Sequence, residues 1–276
     1  MIRRILVPTD GSEQAQRGVD YGVALASRHG AAILGLHVVD VKLLEGPFLR
    51  DLSASLGAAP YVNYQGNILS LLEERGQEAL ARLSEACAAA GVACDTNQVT
   101  GIVHRAIMEA GELADLIILG RGGEHSEWLE GLIGTTTEAV VRRAAQPVLV
   151  TGTAALGRDL AVVAYDGTPH ARHALKTAAA VAEYWSMPLH LLVVGSEDAR
   201  YLVEEAKEYL QTHEVDVTYV LRDGDPGESI VNYAAETHAD LVIMGAYGHS
   251  KVRELVLGST TGCVLNQAPC PVLLTR

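Results

Sequence analysis

The apolar positions fall into short unbroken runs of strand length, separated by longer stretches in which apolar residues recur at helical spacing. The first run, Ile5-Leu6-Val7-Pro8, ends at Thr9-Asp10-Gly11-Ser12; an amphipathic stretch over Glu13–His29 follows, then an apolar run at residues 33–39. The same order returns later. Ala161–Ala164 ends at Tyr165-Asp166-Gly167-Thr168, and a helical stretch over residues 170–185 and the run Leu189–Val194 follow. Continuous apolar runs bounded by turn residues suit parallel strands buried on both faces, and their alternation with amphipathic helices predicts βαβ units.

The two halves are a repeat. Asp10 and Asp166 are 156 positions apart, whereas Gly134 and Gly258, and likewise Pro147 and Pro271, are 124 apart. Gly101 and Ile107 are echoed by Gly224 and Ile230, each pair opening a helix, and the halves end on the runs 147–151 and 271–275. The drop in offset places an insertion in the first half near residues 41–75, a segment with Gly46-Pro47, Gly57 and Ala59-Pro60. It reads as an irregular or partly helical excursion overhanging the carboxyl ends of the strands, either a lid or a dimer-contact arm. The expected organisation is α/β: two repeated, doubly wound parallel sheets of five strands, at residues 1–152 and 157–276, with 152–157 as the link. Repeats this similar are expected to pack about a pseudo-twofold axis.

A glycine-rich loop follows the fourth strand of each half. Gly120-Arg121-Gly122-Gly123 succeeds the run 115–119, with Gly134-Thr135-Thr136-Thr137 downstream; Gly245-Ala246-Tyr247-Gly248 succeeds 239–244, with Gly258-Ser259-Thr260-Thr261 downstream. A strand that empties through glycines into a helix start turns backbone N–H groups and the positive end of a helix dipole toward one spot, which suits phosphate. A bare glycine turn with a Ser/Thr helix cap would leave the same pattern. The first strand–helix turn lacks GxGxxG and no GxxxxGK[ST] occurs, which argues against a dinucleotide fold and a Walker loop. In a doubly wound sheet the strand order reverses between the first and fourth strands, so the Asp after strand one and the loop after strand four are expected to face one ligand. Asp10 and Asp166 read either as helix-capping residues or as contacts to the ribose or base end, or to a metal through water. Arg121 is placed to pair with a phosphate; His249 reads as a phosphate contact or a solvated loop residue. His170 and His173 share a helix face without a third ligand, so no metal site is expected there.

Composition narrows the partners. The chain of 276 residues carries a formal net charge of −13, with −6 in residues 1–152 and −7 in 153–276, so nucleic acid is not expected. Aromatics are 5 % of a chain that is 49 % hydrophobic, which leaves Val, Leu, Ile and Ala to fill the core. No apolar run reaches spanning length and residues 1–8 are too short for a secretion signal, so a cytoplasmic protein with no membrane partner is expected. Cys87, Cys94, Cys263 and Cys270 form no CxxC and read as reduced thiols.

Pro-Thr-Asp-Gly-Ser at 8–12, Tyr-Asp-Gly-Thr at 165–168 and the pattern G-x2-G-x9-G-[ST] at Gly245, Gly248, Gly258 and Ser259 resemble the universal stress protein family in its tandem form, across essentially the whole chain. The first half departs in having ten residues between Gly123 and Gly134. The resemblance implies ATP with Mg²⁺ or Mn²⁺, the metal reaching Asp10 and Asp166 through the nucleotide. It implies an ATP site of Pro8, Thr9, Asp10, Val38, Gly120, Arg121, Gly123, Gly134, Thr135 and Thr136 in the first half. In the second half the implied site is Ala164, Tyr165, Asp166, Val193, Gly245, Gly248, His249, Gly258, Ser259 and Thr260. The adenine would rest on the strand ends and a valine, and the phosphates on the glycine loop. It also implies that residues 148–151 and 272–275 pair within the chain as a pseudo-dimer, with homodimers of the tandem chain a further option.

Three functions compete on the sequence: a nucleotide-responsive stress or signalling factor with protein partners the sequence does not name, a slow ATPase of the same architecture, and a nucleotide-free interaction module, the last open mainly for the first half. No catalytic base held in the loop is evident, so no catalytic residue is assigned.

Overall fold

The computed structural model describes residues 2–42, 61–122, 133–152, 157, 159–246 and 257–276. The chain runs β1 (Arg4–Pro8), α1 (Glu13–His29), β2 (Ala32–Asp40), α2 (Tyr61–Ala89), β3 (Cys94–Gly101), α3 (Val103–Gly111), β4 (Leu116–Leu119), α4 (Thr135–Arg143) and β5 (Val148–Val150). The second repeat supplies β6 (Ala161–Ala164), α5 (Pro169–Trp185), β7 (Leu189–Val194), α6 (Arg200–Leu210), β8 (Val217–Arg222), α7 (Pro226–Glu236), β9 (Leu241–Gly245), α8 (Ser259–Gln267) and β10 (Val272–Thr275). These are the five strands per repeat, alternating with helices, that the sequence leads one to expect, although β3 and β8 are not among its apolar runs.

The chain divides into two compact units, Met1–Ile118 and Leu119–Arg276. In the first, strands lie in the order β3-β2-β1-β4, all parallel. In the second the order is β5-β10-β9-β6-β7-β8, parallel except for β5 against β10. That antiparallel pair sets Val272 against Val150 and Leu274 against Val148, the intrachain pairing of last strands that the resemblance implies. From β6 the chain moves outward to β7 and β8, then returns to β9 and β10 on the other side of β6. Right-handed crossovers on such a path put α5 and α6 on one face and α7 and α8 on the other.

The core is aliphatic, as the shortage of aromatics requires. Ile5, Leu6, Ile117, Ile118, Val162, Val163, Leu191, Leu192, Val242 and Ile243 are all buried completely, and burial of each contributes about 1.5–3 kcal/mol relative to exposure. The thiols of Cys87 and Cys270 are buried too, which pushes them up to about 12 and about 11. Thiols so far above neutral pH stay protonated, in line with their expected inert character.

The insertion is helical over its described part. Residues 61–75 belong to α2, whose 29 residues compare with 11 in its counterpart α6; Gly46, Pro47, Gly57 and Pro60 lie outside the described residues. An offset of 123 carries Leu83 and Cys87 of α2 onto Ala206 and Leu210 of α6, and all four are buried. The extra length therefore extends the N-terminus of an ordinary crossover helix.

Candidate functional site

Each repeat opens with the same turn. Thr168 Oγ1 caps α5 by accepting from the Ala171 N–H at 3.1 Å, and Ser12 Oγ caps α1 by accepting from the Ala15 N–H at 3.2 Å. The aspartates act one step earlier. Asp166 Oδ1 accepts from the Thr168 N–H at 3.0 Å and from its hydroxyl at 2.6 Å, and Asp10 Oδ1 accepts from the Ser12 N–H at 2.9 Å. The chain can turn this tightly because Gly167 and Gly11 sit at φ +74° and +80°. Of the two readings offered by the sequence, simple capping belongs to Ser12 and Thr168; Asp10 and Asp166 shape the turn and keep exposed carboxylates at the strand ends.

In the second unit this turn meets the glycine loop. Strand β6 lies between β7 and β9, so the order reverses at β6 and a crevice opens beyond its carboxyl end. The first turn of α5 packs on the end of β9: a Cβ built on Gly245 falls 2.8 Å from the His170 backbone carbon and 3.0 Å from Ala171 N. Helix α8 returns to the same place, where Thr261 Oγ1 donates to the Ala246 carbonyl at 3.4 Å. Asp166, Gly245 and the Gly258–Thr260 helix start are thus assembled at the ends of two adjacent strands.

The start of α8 differs from those of α1, α5 and α7. Those three carry side-chain caps from Ser12, Thr168 and Asp225, whereas Gly258 offers none. The first intrahelical bond runs from the Gly262 N–H to the Gly258 carbonyl at 2.8 Å, so the amides of Ser259, Thr260 and Thr261 point out of the helix end. Ser259 is exposed and Thr260 half-buried. Among the described residues, a Cβ at Gly258 has only Thr261 Oγ1 nearby, at 3.9 Å. The arrangement can hold an anion on backbone donors, a helix dipole and two hydroxyls.

Two expectations differ from the structure. Gly245 also meets a packing requirement of its own chain, since the backbone of His170 and Ala171 approaches it closely. Arg121 does not present a guanidinium for phosphate: Nε donates to Thr151 O at 3.1 Å, Nη1 to Asn266 O at 3.3 Å, and Nη2 to the carbonyls of Ala268 and Cys270. The counterpart of Val38 is Val194, not Val193. Pro8 pairs with Leu36 and Ala164 with Leu192, which aligns Val38 with Val194 and His37 with Val193. Val38 and Val194 are half-buried at their strand ends, whereas Val193 is wholly buried on the other side of the pleat.

Other site residues are placed as follows. Pro8, Thr9, Asp10 and Val38 lie in the first unit; Gly120, Gly134, Thr135 and Thr136 lie in the second. Thr135 and Thr136 begin α4, which like α8 has a glycine N-cap without a side-chain cap. Gly134 is more crowded than Gly258, with Gly122 Cα 3.1 Å from a built Cβ. Gly123, Gly248 and His249 fall outside the described residues. Sequence reasoning missed Thr137 and Thr261. They are buried, and their hydroxyls tie each glycine-started helix to the loop after strand four, Thr137 donating to Gly120 O at 2.8 Å. Their signal was available in the 124-residue offset between two Thr-Thr pairs.

Tyr165 is buried against α6. Its hydroxyl donates to Glu205 Oε1 at 2.6 Å, and Arg172 Nε donates to the same oxygen at 2.8 Å. The Arg172 and Tyr165 hydrogen bonds hold the Glu205 carboxyl below its ordinary 4.5, while burial and Glu205 push the Tyr165 phenol up to about 12. The stabilisation from Glu205 is therefore complete above pH 4.5 and is lost as pH falls through the lowered folded value. In urea titrations, Glu205→Gln is expected to flatten the acid limb of stability and leave the neutral region's slope unchanged. Burial also lowers His170, with help from the charges of Arg276 and His173 and against Asp166, so the imidazole beside the Asp166 turn is neutral at pH 7.

Comparison with known proteins agrees with this architecture. Residues 1–152 and 195–276 match the model of the universal stress protein family. Universal stress protein Slr1230 of Synechocystis is 30 % identical over 287 residues, covering 100 % of both chains. Universal stress protein Mb2028c of Mycobacterium bovis is 24 % identical, covering 99 % of this chain and 96 % of its own. A crystal structure of a universal stress protein from Archaeoglobus fulgidus superposes with a TM-score of 0.80 at 23 % identity, over 99 % of this chain and 98 % of that one. At that identity the likeness concerns the fold.

Proposed function

The chain belongs to the universal stress protein family, and from that premise we propose that its second repeat binds ATP and acts as a nucleotide-responsive stress or signalling factor. The observation that carries the reading is the start of α8: a helix N-terminus without a side-chain cap, uncrowded among the described residues, beside the exposed carboxylate of Asp166, at the point where the strand order reverses. The phosphates would lie on the amides of Ser259 and Thr260 and their hydroxyls. Val194 and the backbone at Ala164 and Tyr165 would line the adenine end. Among the described residues no group of three or more His, Cys, Asp or Glu is placed to hold a metal ion. A divalent ion would therefore arrive with the nucleotide, offsetting the phosphate charge against a chain of net −13. No helix among the described residues is long and apolar enough to cross a membrane.

Calorimetric titration of MgATP into the wild type and Gly258→Val tests this. A side chain at Gly258 meets only Thr261 among the described residues but would occupy the approach to the amides, so affinity is expected to fall tenfold or more, about 1.4 kcal/mol. Wild-type protein that takes up no MgATP overturns the reading. Sustained ADP release that is lost in Asp166→Asn would replace it with a slow ATPase.

A further inference from the structure

Helix α8 touches a glycine loop at each of its ends. Its N-terminus is the phosphate position proposed above. Its C-terminus grips the loop of the other repeat: Asn266 Oδ1 accepts from the Ile133 N–H at 2.7 Å, and Arg121 donates to the carbonyls of Asn266, Ala268 and Cys270. Ile133 and Arg121 flank the first-repeat loop on its two sides, and that loop is closed on itself by the Gly134 N–H donating to Arg121 O at 2.7 Å. All of these groups lie within the second compact unit. Nine helical residues span only about 13 Å, and a short helix moves as one body.

We infer that α8 couples the two repeats, with Asn266 and Arg121 as positioning residues that pass nucleotide occupancy at Gly258 to the base of the first-repeat loop at Arg121, Ile133 and Gly134. The inference rests on the nucleotide reading of the second repeat. The coupling is reciprocal in free energy, so whatever restrains Arg121 and Ile133 restrains α8 as well. Clamping α8 at its N-terminus restricts its rocking, and the carbonyls at its far end then hold Arg121 and Ile133 in a narrower geometry.

Amide exchange at Gly134, read by NMR with and without MgATP, tests the coupling. In wild type MgATP is expected to slow Gly134 exchange about fivefold, the lower end of common coupling strengths. Asn266→Ala is expected to bind MgATP yet lose that response, and Asn266→Asp, which keeps the acceptor oxygen, to restore it. Gly258→Val is expected to remove binding at the second site and the response together. The coupling is overturned if wild type binds MgATP without any change at Gly134, or if Asn266→Ala keeps the response. It is also overturned if the response survives Gly258→Val, because nucleotide on the first loop itself would then be its source. Calorimetry on the same samples separates these outcomes from a wild type that binds no MgATP, which overturns the coupling together with the reading beneath it.

Discussion

Arg121→Ala is expected to lower the stability of the second unit by about 3 kcal/mol, the largest effect of any single polar truncation near the glycine loops. The guanidinium donates through three nitrogens to four carbonyls, from Thr151, Asn266, Ala268 and Cys270. Two of these, Asn266 and Ala268, belong to the C-terminal end of α8, where carbonyls have no intrahelical partner and the dipole favours a cation. Truncation therefore removes several charge-assisted bonds at once and leaves half-buried acceptors unmatched. Arg121→Lys keeps the charge but concentrates its donors at one point, so it is expected to recover less than half of the loss. Urea denaturation followed by circular dichroism checks both variants. A loss below about 1 kcal/mol for Arg121→Ala would return the side chain to the pool of solvated surface cations.

The difference between Arg121 as read and Arg121 as found shows where sequence reasoning stops. Strand runs, helix faces and Asp-Gly turns are short-range patterns, governed by the pleat, the helical period and local sterics, and they were legible. The reversal of strand order between the first and fourth strands was legible too, from the doubly wound pattern. The partners of Arg121 lie 30 to 149 positions away, and no local pattern announces a bond of that range. A glycine-flanked arginine after a strand looks the same whether it faces phosphate or carbonyls.

Register is a subtler case. The 156-residue offset between Asp10 and Asp166 already pairs Val38 with Val194, but the string Val193-Val194 invites a slip by one. A one-residue slip moves a strand position to the opposite face of the sheet, which is why Val193 is wholly buried while Val194 sits at the strand end beside the crevice. The insertion was legible in place and, through the partly helical alternative, in form: residues 61–75 form helix continuous with the buried stretch that holds Ala79, Leu83 and Cys87.

Gly245→Val and Gly258→Val are expected to separate the two reasons a glycine can occupy one motif. At Gly245 the new Cβ lies 2.8 Å from the backbone of His170, so α5 must move away from the end of β9. Backbone yields less readily than a flexible side-chain tip, and the expected loss is about 3 kcal/mol. At Gly258, φ −58° and ψ 146° are ordinary for any residue and, among the described residues, the nearest atom to a Cβ is 3.9 Å away. Loss of a glycine N-cap there costs under about 1 kcal/mol. The two variants thus differ in opposite senses: Gly245→Val unfolds early in urea, while Gly258→Val folds and loses nucleotide. Equal stability losses would mean that a side chain at Gly258 is not accommodated, and weaker MgATP binding by Gly258→Val would then no longer report on contact with the helix amides. A stable Gly245→Val would show that α5 and β9 have room to part, which removes the steric requirement for glycine at that position.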